Sequence, residues 1–171
     1  MTRLDAGDET GVTANGAHPP VRVTHGAEAA ILTEPARESL PTVERAMRYE
    51  CASAGRRSGR WRGIPLGDLL AWAPIRPDAT HLLVESRDGH AACVAVQNAI
   101  NGLLALEVVE PPGTDDATGP SAGPADGCPR LIAPGIAAAK TVKAVRRIEA
   151  FRCGPDQDPR ALAGLGPPPA D

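Results

Sequence analysis

The stretch YECASAGRRSGRWRGIPLGDLL, residues 49–70, joins one cysteine, a cluster of arginines and a short leucine-rich segment. Just before it, alternate residues from Val43 to Cys51 are mostly apolar and the residues between them are mostly charged. This alternation predicts a half-buried strand that ends at Cys51, with the cysteine facing inward. Glycine, serine and arginine dominate residues 52–60, and this composition predicts a loop.

The segment after this loop has the pattern of a short helix. Pro65 suits a helix start because its missing N–H would have no partner there. Leu66, Leu69 and Leu70 then fall on one face, and Pro74 ends the segment. Alternating or β-branched runs predict further short strands at 21–24, 80–86, 91–96, 103–109, 129–135 and 140–151. About seven strands with one or two helices, without a regular βαβ order, predict a β-rich α+β fold.

Composition divides the chain into one domain and three segments of low complexity. Residues 1–20 are polar and predict a flexible N-terminal tail, and residues 154–171 predict a flexible C-terminal tail. Residues 110–127 contain eight glycines or prolines and predict a flexible insert, because they bury too little apolar surface to order themselves. The predicted domain is therefore residues 21–153.

Charge and hydropathy exclude several classes of function. The formal net charge of −3 gives no nucleic-acid footprint. No apolar run approaches the roughly 18 residues that span a bilayer, and the N-terminus lacks the apolar core of a signal peptide. The expectation is a cytoplasmic protein with neither a nucleic-acid nor a membrane partner. The four cysteines have no Cys-x-x-Cys spacing, so a disulfide framework is not expected.

Cys51 has more than one interpretation from the residues alone. Free cysteine is often only a small buried side chain. Arginines close to a thiol instead lower its pKa and favour the thiolate, which binds metals or attacks electrophiles. Arg56 and Arg57 could also hold an oxyanion or a phosphate. Lys140 and Lys143 could grip a phosphate, but only if the chain bends there, since positions three apart in a strand face opposite ways.

The ordered motifs together resemble one family. A strand ending in Glu-Cys precedes a Ser- and Gly-containing loop and then Trp-Arg-Gly-Ile-Pro-Leu-Gly-Asp-Leu-Leu. Glu-Ser-Arg-Asp-Gly, Pro-Arg-Leu-Ile-Ala-Pro-Gly and Lys-Thr-Val-Lys-Ala-Val follow downstream. From about Val21 to Phe151 the chain resembles the molybdopterin-binding oxidoreductase domain of the sulfite oxidase and methionine-sulfoxide reductase catalytic-subunit group.

This resemblance implies a mixed-sheet, sulfite oxidase-like fold with a few short helices and a molybdenum–molybdopterin cofactor. It implies that Cys51 is the protein's ligand to the metal, which agrees with the preference of sulfur-bound molybdenum for a soft thiolate. The residues that it implies for cofactor binding are Ser53, Arg56, Arg57, Gly135, Lys140 and Lys143.

The function implied by the resemblance is two-electron oxygen-atom transfer on a small-molecule substrate, such as a small oxyanion or a sulfoxide, with an electron-transfer partner. A degenerate, cofactor-free domain of the same fold that acts as a binding module is the alternative. A third hypothesis is a thiol-reactive or redox-sensing protein that uses Cys51 without a metal.

Overall fold

Two β-sheets and four short helices make up the computed structural model, which describes residues 18–51, 55–114, 127–134, 136–137 and 140–166. The β-rich α+β class predicted from the sequence is confirmed. The described residues form nine strands, two more than predicted, because residues 55–65 and 28–32 are also strands.

The first sheet is mixed and has β9 at its centre. Its strand order is β2-β1-β9-β5-β6. The strands are β1 (Val21–His25), β2 (Glu28–Leu32), β5 (His81–Ser86), β6 (Ala91–Ala95) and β9 (Val145–Phe151). β1 and β9 run parallel, and the other neighbours pair antiparallel. The hairpin predicted from the Asp-Gly turn between β5 and β6 is present.

The second sheet is antiparallel and has the order β3-β4-β7-β8. Its strands are β3 (Val43–Cys51), β4 (Gly55–Pro65), β7 (Leu103–Thr114) and β8 (Arg130–Ile132). The long pairing of β3 with β4 ends where Cys51 lies opposite Gly55. β8 covers only the beginning of β7, so most of β7 pairs with β4 alone.

Three of the four short helices connect strands, and the fourth follows the last strand. The helices are α1 (Glu34–Glu38), α2 (Leu66–Trp72), α3 (Val96–Ala99) and α4 (Pro159–Leu162). α2 begins directly after Pro65 and buries Leu66, Leu69 and Leu70, as its sequence pattern predicts. None of the described helices is long and apolar enough to cross a membrane.

One apolar core joins the two sheets. Val23, Leu82 and Ile148 of the first sheet pack in the same cluster as Ile64 and Leu104 of the second. Because side chains alternate between faces along a strand, the neighbours of these residues on β4 and β7 face the other way. On that face Trp61, Leu103 and Ala105 form a smaller cluster with Met47 of β3 and Ile132 of β8.

The predicted loop at residues 52–60 is wrong from Gly55 onward, because these residues belong to β4. Composition favoured a loop, but pairing with β3 and β7 decides the conformation. Arg62 lies opposite Glu44 and Arg60 opposite Ala46, and both arginines make ion pairs with Glu44, at 3.2 and 3.3 Å. The strand therefore carries Arg60 and Arg62 on a solvent-exposed face.

Two other segment predictions differ from the structure. β7 runs to Thr114, so the first residues of the predicted insert 110–127 are strand, and residues 115–126 lie outside the described residues. Residues 154–166 of the predicted C-terminal tail contain α4, which Asp158 caps with its carboxylate. Of the predicted N-terminal tail, only residues 18–20 are described.

We expect Gly63→Ala to destabilise the fold by about 2–4 kcal/mol. A Cβ at Gly63 would meet the Leu104 carbonyl oxygen and would lie 2.7 Å from Ala105 Cα, so β4 and β7 would have to separate. Gly67→Ala is the matched control, because its nearest neighbour would be 3.7 Å away and Gly67 lies in α2. Urea unfolding measures the free energy of unfolding of both variants. Equal stability of the two would contradict this packing.

Candidate functional site

A bent segment before β9 brings several cationic residues to one end of the first sheet. Residues 127–132 run beside residues 141–145, joined by hydrogen bonds from Leu131 N to Val142 O and from Ala144 N to Gly127 O at 3.0 and 2.7 Å. Gly127 and Ala144 both have positive φ values, 109° and 48°, which turn the chain sharply. We call residues 127–145 the cationic turn.

Arg130, Lys140 and Lys143 are the cations of this turn. The Arg130 guanidinium donates to the hydroxyl of buried Thr141 at 3.1 Å, and both lysines are exposed. The stem of Lys143 packs against Gly127, where an added Cβ would lie 3.1 Å from it. Since β9 begins only at Val145, the lysines precede the strand, and the bend that a shared phosphate site requires is present.

Cys51 and its arginines lie at the far end of the second sheet. Arg57 is opposite Thr114 on β7, whereas Arg130 is opposite Ala105, nine residues earlier on the same strand. At about 3.3 Å per residue, these positions are about 25–30 Å apart along β7. The register therefore does not bring Cys51 to the cationic turn.

The other predicted site residues are described only in part or not at all. Arg56 and Arg57 follow Gly55 in β4, and the structure describes their backbone and pairing. Ser53 and Gly135 lie outside the described residues. Among the residues that are described, no three His, Cys, Asp or Glu side chains form a group that could hold a metal ion.

His18 is a residue of this region that the sequence did not single out. Its imidazole lies beside the backbone carbonyls of Leu106 and Cys128, next to the cationic turn. Burial lowers the pKa of His18, and the positive charge of Arg37 lowers it further. The only sequence signal was its place immediately before a Pro-Pro pair and the first strand.

Two arginines hold the segment that carries His18. Arg37, only 4% exposed, donates to the carbonyl oxygens of His18, at 2.8 Å, and of Pro19. Arg87 donates to the carbonyl oxygen of Pro20 at 3.2 Å. Because proline has no N–H, this segment cannot join a strand ladder through its own donors, and side-chain donors satisfy its carbonyls instead.

Burial opposes the thiolate form of two cysteines, Cys93 and Cys128. Cys93, Cys128 and Cys153 are free of disulfides. Burial raises the pKa of Cys128 to about 11, although Arg130 acts in the opposite direction. Burial also raises the pKa of Cys93. Neither Cys93 nor Cys128 is therefore a ready thiolate ligand at neutral pH.

Residues 26–157 match the family described as the oxidoreductase molybdopterin binding domain. The chain belongs to this family, which confirms the resemblance found in its motifs. Among solved structures it is similar to the sulfane dehydrogenase SoxCD from Paracoccus pantotrophus, with a TM-score of 0.62 and 18% identity. The similar region covers 85% of this chain and 41% of that chain, so the likeness is one of fold. No curated protein matches the chain.

We expect Arg37→Met to lower the free energy of unfolding by about 2–4 kcal/mol, because it leaves the carbonyls of His18 and Pro19 without their donor. Arg152→Met is the matched control. Arg152 is 72% exposed and only reaches Asp78 at 3.9 Å, so we expect a change below about 0.5 kcal/mol. Similar losses in both variants, measured by urea unfolding, would exclude the proposed role of Arg37.

Acidification should destabilise the protein through His18. Because folding lowers the pKa of His18 below 6.5, the unfolded chain takes up the proton first as the pH falls. The stability is therefore fully present above about pH 6.5 and is lost as the pH falls toward the folded pKa, by less than about 1.4 kcal/mol per pH unit. Urea unfolding at several pH values should show a steeper loss for the wild type than for His18→Gln. Parallel curves would refute this assignment.

Proposed function

We propose that the chain is a small molybdopterin-dependent oxidoreductase domain in which Cys51 gives its thiolate to molybdenum. A soft thiolate suits a metal that is otherwise bound by sulfur. The other residues proposed to bind the cofactor are Ser53, Arg56, Arg57, Gly135, Lys140 and Lys143.

The cationic turn is the observation that carries this proposal. Lys140 and Lys143 are exposed on a bent segment, and Arg130 donates to Thr141, which lies between them in the chain, so the segment has the donor chemistry that an anionic pterin phosphate needs. The residues present at this end of the fold therefore fit the phosphate half of such a cofactor.

When bound, a molybdopterin centre supplies two-electron oxygen-atom transfer, and the protein supplies orientation and charge. The roles proposed for this chain follow from its side chains. Arg56 and Arg57 would favour the thiolate form of Cys51 and would attract a small oxyanion or a sulfoxide substrate. Since the chain spans 41% of the SoxCD chain, the substrate and the electron-transfer partner of the whole protein are part of this proposal.

A second function, a cofactor-free binding module, is favoured by the sheet register. The end of β3 at Cys51 lies about eleven strand residues from the position of Arg130, because Cys51 pairs with Gly55, two residues beyond Arg57. A single cofactor can contact both only if residues 49–57 approach the cationic turn in the loaded protein. If they do not, the cationic turn would serve as an anion-binding surface without a metal.

The molybdenum content of the purified protein distinguishes these two functions. Expressed in a host that makes molybdopterin, the wild type should contain about one molybdenum per chain, and Cys51→Ser should lower this at least tenfold. Loss of a residue that only hydrogen-bonds to a metal ligand costs about 10–100-fold in metal affinity. Loss of the ligand itself should cost at least as much. Elemental analysis gives the metal, and fluorescence after oxidation gives the pterin.

Two further variants make this test specific. Cys153→Ser should keep its molybdenum, because Cys153 lies in the turn after β9 and donates to backbone carbonyls there. Lys143→Met should reduce both pterin and metal if the cationic turn binds the phosphate. If the wild type contains neither metal nor pterin, the oxidoreductase proposal is rejected and the binding-module proposal remains.

A further inference from the structure

A cavity opens at the end of the first sheet that lies opposite the cationic turn. It has a volume of about 820 Å³ and lies where β5 begins, where β6 ends and where the chain turns after β9. His81, at the start of β5, lines it, whereas Ala144 of the cationic turn accepts a hydrogen bond from Arg87 just beyond the other end of β5. These ends are about 17 Å apart along the strand.

One wall of the cavity is a turn that is locked by its own hydrogen bonds. Gln157 N donates to Gly154 O at 3.1 Å, and the Cys153 thiol is directed to the Gln157 carbonyl at 3.3 Å. Cys153 N donates to the Thr80 hydroxyl at 2.8 Å, which ties the turn to the start of β5. The wall is therefore preorganised, a property that favours ligand binding.

His81 can present a hydrogen-bond donor at this cavity. The Thr80 hydroxyl accepts from Cys153 N and lies 2.9 Å from His81 Nδ1 and 3.4 Å from the Cys153 carbonyl oxygen. In the arrangement in which this hydroxyl donates to the nearer His81 Nδ1, the ring proton is on Nε2 and is free for a ligand. Stacking on Phe151, with ring centroids 5.8 Å apart, fixes the orientation of the ring.

Gln157 presents a second donor. Its Oε1 accepts from Gly154 N at 2.7 Å, so the amide oxygen is already used within the turn. The Nε2 group, which has two protons, is the end of this amide that a ligand could engage. Gln157 is exposed and lines the cavity together with His81.

The rest of the lining is apolar or uncharged. Val96, Ile100, Pro155 and Pro159 supply apolar surface, and Ile100 is 40% exposed. Among the described residues that line the cavity there is no Asp, Glu, Lys or Arg. A charged ligand would lose its hydration without gaining a partner of opposite charge.

We infer that this cavity binds an uncharged, mostly apolar molecule through a carbonyl oxygen, which accepts hydrogen bonds from His81 Nε2 and Gln157 Nε2. The volume is within the range of about 300–1,000 Å³ that is usual for small-molecule sites. This inference does not rest on the proposed molybdopterin chemistry, because the described residues that line the cavity include none of those proposed for that cofactor.

Nuclear magnetic resonance of the full ¹⁵N-labelled chain tests this site with matched probes. α-Tetralone is an uncharged bicyclic ketone, tetralin is the same skeleton without the carbonyl, and 2-naphthoate is a charged bicyclic compound. We expect saturable shifts of the Gln157 side-chain amide and of the backbone amides of residues 96–100 and 154–157. Tetralone should bind at least about two- to tenfold more tightly than tetralin, the value of one of the two neutral hydrogen bonds, and naphthoate should bind most weakly.

Two variants at exposed positions test the Gln157 donor and the apolar lining of the cavity, and a third is their control. Gln157→Glu keeps an oxygen for Gly154 N but replaces the donor with a carboxylate oxygen, so tetralone should lose at least its advantage over tetralin. Ile100→Glu should weaken both probes, whereas Ile31→Glu, which changes an equally exposed isoleucine of β2 away from the cavity, should weaken neither. Equal binding of tetralone and tetralin, unchanged tetralone binding in Gln157→Glu, or shifts away from the cavity would overturn the inference.

Discussion

The pairing of β9 with β1 on one side and β5 on the other is the interaction on which the rest of the structure depends. It joins the first described strand of the chain to the last, in a parallel register that sets Val23 opposite Ile148. On the other side, Leu82 lies opposite Ala150, and all four of these side chains belong to the main core. Because β9 is central, its two ends determine where both candidate sites lie.

The residues at the two ends of β9 differ in charge, because the chain folds differently before and after the strand. Before the strand begins, the chain turns at Ala144, which has a positive φ and donates its N–H to Gly127 O, and the lysines and Arg130 belong to the segment between these two residues. After the strand ends, the chain folds back through a turn that satisfies its own polar groups and closes an uncharged cavity. An anion and a neutral carbonyl compound are thus the ligands suited to opposite ends of one sheet.

Sequence patterns located most elements because the core requires alternation. The strand from Val43 to Cys51, the β5–β6 hairpin and the leucine face of α2 all follow from where apolar residues must point. The predictions were wrong where the local composition favoured one conformation and strand pairing favoured another. Residues 55–60 resemble a loop, but cross-strand pairing and the ion pairs of Arg60 and Arg62 make them a strand.

The candidate site was predictable only as a set of residue types. A cysteine at a strand end and two lysines near a Thr are visible in the chain, and the order of these motifs is enough to indicate the family. Whether such residues meet depends on long-range register, which no local pattern contains. The position of Arg130 opposite Ala105 and of Arg57 opposite Thr114 is a property of β7 pairing alone.

The amino-acid sequence by itself therefore determined the fold class and the family, because apolar periodicity and ordered motifs are local properties. Tertiary structure alone decided three other features. It buried Arg37 against the carbonyls of the His18–Pro20 segment, it separated Cys51 from the cationic turn, and it folded residues 153–159 into the wall of a cavity. These features depend on contacts between residues that lie far apart in the chain, and only the folded protein brings those residues together.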